Sequence, residues 1–89
     1  MDNEEIKSIL EAILFVWSEP ISVKELSKVL DIDIKHISNL LKEMMSEFNY
    51  SKRGIQIIKI NDYYQLSTRP EHHSYLQKLV EPRYNKGLT

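Results

Sequence analysis

Eighty-nine residues, 42% hydrophobic and 28% charged, bound a single small domain that folds alone with little stability to spare. Twelve basic residues against thirteen acidic ones leave a net charge of −1, so no global field draws the chain to nucleic acid or to an acidic membrane. The lack of cysteine fits a reducing interior, and the chain has neither a transmembrane run nor a basic signal-peptide start, which predicts a soluble cytoplasmic protein with no membrane partner.

The first helix is predicted to start at a cap on Asn3, with Glu4 and Glu5 at its positive end. At 100° per residue, Ile6, Ile9, Leu10, Ile13, Leu14, Val16 and Trp17 share one broad arc, opposite Glu4, Lys7, Ser8 and Glu11. Pro20 ends this helix. Ser22-Val23-Lys24-Glu25 reads as a capping box opening a short second helix with Val23, Leu26, Val29 and Leu30 inward. After the turn Asp31-Ile32-Asp33, Asp33 caps a third helix. Its inner face is Ile34, Ile37, Leu40, Leu41, Met44, Met45 and Phe48, and its outer face holds Lys35, His36, Asn39, Lys42, Glu43 and Glu47.

Beyond Gly54 the period shortens to about two. Ile55–Ile60 and Tyr63–Thr68, separated by Asn61-Asp62, form a predicted hairpin. A two-residue turn pairs Ile60 with Tyr63 and Ile58 with Gln65, which directs Ile55, Ile57, Tyr64 and Leu66 to the core. A fourth helix starts at Arg69-Pro70-Glu71, with Tyr75, Leu76, Leu79 and Val80 as its buried side, and Pro82 ends it. The predicted fold class is therefore mainly α with a β-hairpin, in the order of a winged helix-turn-helix: three helices, a two-stranded wing and a C-terminal helix. A generic α+β domain is the competing reading. Residues 1–81 form the domain, residues 82–89 are a polar tail, and Arg83 to Thr89 are expected to be poorly ordered.

No catalytic or metal site is expected, and no cofactor. The carboxylates are scattered, and the adjacent His72 and His73 diverge on a helix and cannot jointly ligate one metal. His72 falls on the apolar side of the last helix as a partly buried structural histidine, and His36 is solvated. Two glycines, Gly54 and Gly87, make no phosphate-cradling loop. No nucleophile–base pair can be named.

A helix-turn-helix invites a DNA-binding reading, in which the third helix enters the major groove. Lys35 and Lys42 there are offset by Glu43 and Glu47, so little holds such a helix on phosphates. The best basic patch is Lys52, Arg53, Lys59 and Arg69 around the wing, sufficient for weak, salt-sensitive contact only. Apolar residues in solvent positions point to a protein partner instead. Phe15 lies opposite the buried arc of the first helix, next to Glu11, and Ile58, Ile60 and Tyr63 cluster on the outer face of the hairpin. Phe15, Glu11, Ile58, Ile60 and Tyr63 are the candidate interface.

The stretches Glu11-Ala12-Ile13-Leu14-Phe15-Val16, Ser18-Glu19-Pro20-Ile21-Ser22, Gly54-Ile55-Gln56-Ile57 and Tyr64-Gln65-Leu66-Ser67-Thr68-Arg69-Pro70-Glu71 fall in a characteristic order. In that order the chain resembles the N-terminal domain of the segregation and condensation protein B family, over nearly its whole length. The family often carries glycines in the wing turn where this chain has Asn61-Asp62. The resemblance implies a non-catalytic, nucleoid-associated subunit of the bacterial SMC–kleisin condensin complex. It further implies a homodimer, with the kleisin segregation and condensation protein A and SMC as partners of the full-length protein, and ATP hydrolysis confined to SMC. It also implies that the tail is a linker toward a second winged-helix domain absent from this chain. A winged-helix transcription regulator is the alternative.

Overall fold

A computed structural model describes residues 1–80. The elements run α1 (Asn3–Trp17), β1 (Ile21–Ser22), α2 (Val23–Leu30), α3 (Ile34–Tyr50), β2 (Ile55–Ile60), β3 (Tyr63–Thr68), a 3₁₀ turn (Pro70–His72) and α4 (His73–Leu79). This is the winged-helix order. The tail and Pro82 lie outside the described residues.

The caps follow from residue type. Asp2, not Asn3, caps α1, its carboxylate accepting from the Glu5 N–H at 2.8 Å. Asn3 instead faces His36, whose Nε2 lies 3.0 Å from Asn3 Oδ1, so His36 is tied to α1 rather than simply solvated. Ser22 caps α2 through the Glu25 N–H at 3.1 Å, and Asp33 caps α3 through the Lys35 N–H at 3.2 Å, both as expected.

The hairpin register is Ile60 opposite Tyr63 and Ile58 opposite Gln65, with Asn61 taking a left-handed conformation (φ 55°) in the turn. Ile57 and Tyr64 are buried, and Ile55 and Leu66 pack against the core from its edge. A third strand was not anticipated. β1 pairs antiparallel with β3 (Ile21 opposite Tyr64), giving the sheet order β1-β3-β2. Two residues are too few to show a period of two, so only tertiary pairing reveals such a strand. The Val23 N–H donates to the Asp62 carbonyl at 2.9 Å, fastening the start of α2 to the wing turn.

The core joins Ile6, Leu10 and Leu14 of α1, Leu26 of α2, and Ile37, Leu40, Leu41, Met44 and Phe48 of α3 to the hairpin. Several expected core positions lie elsewhere. Val16 and Trp17 are exposed, as are Val29 and Ile34. Lys7, expected on the polar side, is only 8% exposed and faces α3. Its ammonium lies 2.8 Å from Glu47, 3.0 Å from Glu43 and 3.5 Å from Glu4. Tyr75, Leu76, Leu79 and Val80 do not form a buried side: all of α4 is exposed, and so is His72.

One arginine fixes the end of the hairpin. The Arg69 guanidinium donates to the Phe48 carbonyl at 2.8 Å, to Asn49 Oδ1 at 3.0 Å and to the Arg53 carbonyl, while its own N–H bonds to the Gly54 carbonyl at 3.2 Å. A cation here satisfies carbonyls left open where α3 ends, and favours the negative end of the helix dipole.

Hydrogen bonds from Lys7 to Glu47, then to Glu43, hold its ammonium above the ordinary lysine range. The stabilisation from this raised value is fully present below the unfolded-chain value of about 10.4 and is lost as pH rises beyond it, because the unfolded chain releases that proton first. Denaturant unfolding from about pH 9 to about pH 12 should therefore show an alkaline loss of stability that is smaller in Lys7→Met. Equal slopes in the two proteins would show the cluster to be energetically idle.

Candidate protein-interaction surface

The turn of α1 about its axis decides which side chains it presents. With Ile6, Lys7, Leu10 and Leu14 inward, the outer face is centred on Ala12 and flanked by Ile9, Val16, Ser8 and Phe15. Phe15 is 74% exposed and Val16 79%. Ile9, Ala12, Ile13, Val16 and Trp17 line one shallow apolar surface. On one flank, Ser8, Glu11, Ala12 and Phe15 form a groove with Ile55 and Leu66 at the hairpin base. On the other flank, Ile13 and Trp17 continue into a groove with Pro20, Ile21, Val29 and Tyr63. These surfaces share Ala12, Ile13 and Trp17, so they form one continuous apolar band that crosses α1 from the base of the wing to α2.

Of the five candidate interface residues, Phe15 and Glu11 sit at one end of this band and Tyr63 at the other. Ile58 and Ile60 line none of its three parts; Ile58 is half-buried and Ile60 exposed on the hairpin. Residues that sequence reasoning assigned to the core supply much of the band: Ile9, Val16, Trp17 and Val29. The readable signal was an apolar arc on α1 too wide for one core contact.

The basic patch is not assembled as one free surface. Arg69 is turned inward onto the end of α3. Arg53 lies over the Phe48 ring at 4.5 Å and 3.9 Å from Glu11. Lys52 and Lys59 are exposed and form no ion pair among the described residues. On α3, Glu43 and Glu47 converge with Glu4 on Lys7, three carboxylates against one ammonium. Among the described residues no group of three or more His, Cys, Asp or Glu side chains is placed to hold a metal ion, and no helix is long and apolar enough to cross a membrane.

The family profile described as segregation and condensation complex subunit ScpB matches residues 8–89. The chain belongs to the ScpB family. It is 68% identical over 89 residues to segregation and condensation protein B of Alkaliphilus oremlandii, a match covering all of this chain and 48% of that protein. It is 60% identical to the Alkaliphilus metalliredigens protein, covering 47% of it. The chain thus spans about half the length of the curated relatives it matches. Among solved structures, it is similar to a dimer of the ScpB N-terminal domain complexed with an ScpA peptide. That match has a TM-score of 0.81 at 29% identity and covers 86% of this chain and 96% of the other. It is also similar to ScpB from Mycobacterium tuberculosis, with a TM-score of 0.86 at 25% identity, covering 90% of this chain and 50% of that one.

With its basic side chains divided between internal and solvent roles, the domain should hold duplex DNA no better than about micromolar, with affinity falling steeply as salt rises. Fluorescence anisotropy across a salt series measures this, and sequence-selective binding that persists at physiological ionic strength would restore the regulator reading.

Proposed function

We propose that this chain is the N-terminal dimerisation domain of a ScpB-type subunit, acting without catalysis in an SMC–kleisin complex that condenses and segregates the chromosome. In this reading the domain pairs with a second copy through the outer face of α1. Residues 82–89 lead toward a second winged-helix domain, and the full-length protein grips the kleisin ScpA in the cytoplasm, at the nucleoid.

The observation that carries the reading is the apolar band centred on Ala12, on a domain similar in fold and sequence to one solved as a dimer with an ScpA peptide. A small residue at the centre of a helix face lets a second helix approach closely. A closed two-fold contact places the same patch on both partners, so each apolar side chain is buried twice. Covering a phenyl ring is worth roughly 1.5–3 kcal/mol per copy, enough to make Phe15 a principal contributor.

Light scattering should give the mass of a dimer for the chain as it stands. Phe15→Glu should give a monomer with unchanged helical circular dichroism, because it places an unpaired carboxylate in the apolar contact of both copies. A wild-type monomer at every concentration would reject the dimer reading. A Phe15→Glu protein that remains dimeric would move the contact away from this face.

A further inference from the structure

The 3₁₀ turn and α4 together span about 16 Å of chain beyond Arg69. Every residue from Pro70 to Val80 is exposed. Tyr75, Leu76 and Leu79 nevertheless align as an apolar stripe at i, i+1 and i+4, with the Lys78 ammonium 5.8 Å from the Tyr75 ring centre. A seven-residue helix is far shorter than the roughly 12–15 residues at which an isolated helix becomes even marginal in water. Its persistence requires a surface for that stripe. The body of the same protomer does not cover it, although an open apolar groove lies at the hairpin base from which the arm departs, lined by Ser8, Glu11, Ala12, Phe15, Ile55 and Leu66.

A contact along α1 alone does not complete an interface. The stripe from Ser8 to Trp17 is about 14 Å long on a helix about 10 Å across, whereas stable interfaces bury about 800 Å² on each partner. Helix-on-helix packing at the Ala12 crest leaves the flanking groove open in both copies, and a two-fold operator supplies one arm for each groove. We infer that α4 is an exchanged arm, seating Tyr75, Leu76 and Leu79 in the partner's groove between α1 and the hairpin base; this rests on the homodimer proposed above. The charges agree. Lys78 arrives beside a Glu11 carboxylate that is 44% exposed and, among the described residues, paired only at 3.9 Å with Arg53.

The absence of cysteine makes pairwise cross-linking specific. Full chains carrying Leu79→Cys and Ser8→Cys, both at exposed positions, are mixed, allowed to exchange and oxidised. A covalent heterodimer is expected. In parallel, Leu76→Ser/Leu79→Ser should raise the dimer dissociation constant about tenfold or more while the domain stays folded by circular dichroism. A chain carrying both cysteine substitutions that closes an intramolecular disulfide on dilution places the arm in cis and overturns the inference. So does a serine variant that dimerises as tightly as wild type, which assigns the stripe to another partner. A wild-type monomer rejects the dimer and the arm together, whereas a wild-type dimer without the cross-link rejects the arm alone.

Discussion

The placement of Lys7 among Glu4, Glu43 and Glu47 sets the rotation of α1, and most of the surface character of the domain follows from that rotation. The lysine stem is covered while its carboxylate partners remain largely exposed, so the ammonium emerges at the rim of the α1–α3 contact, where pairing replaces part of its hydration. Two of its three partners belong to α3, so the pairing turns α1 toward α3 as well as satisfying the charge. Leu10 and Leu14 follow Lys7 inward on the same side. The apolar residues a third of a turn away are then carried out of the core.

This explains where the sequence was legible and where it misled. The helical periods of α2 and α3, the Ser22 and Asp33 caps, and the alternation of the hairpin are local signals. Apart from Val29 and Ile34 near the helix ends, each agrees with the packing around it, which is why Ile57 and Tyr64 lie inside as their spacing implies. For α1, hydrophobicity alone centres the arc near Ile13 and Trp17. The buried arc is displaced about 60° toward Lys7. No local rule reports that displacement, because it depends on two carboxylates some forty residues away. Trp17 is exposed for a different reason: it stands at the last turn of α1, beyond Leu14, the last core residue of that helix.

The far end of the chain misled in a different way. The stripe on α4 was a correct observation about the helix, but periodicity names a face without naming what covers it. β1 escaped notice for the converse reason, being a pairing without a pattern. Arg69, grouped by charge with Lys52, Arg53 and Lys59, turned out to be held by three acceptors around the end of α3. Formal charge in a sequence overestimates the charge a partner meets whenever backbone carbonyls compete for it.

A domain of this size has a small core and correspondingly modest stability. Leaving a continuous apolar band in water then has a consequence beyond recognition. A partner that binds only the folded form adds to its stability by mass action, so covering the band and holding the fold together become the same event. The polar pairing at Lys7 complements this. It fixes α1 within the protomer by charge, at a distance from the Ala12 crest, so the rotation that displays the band does not itself depend on the band being covered. An α1 oriented by apolar contacts alone would have had two faces competing for the core. With Lys7 held by α3, only one of the two can enter, and the other stays outward for a partner.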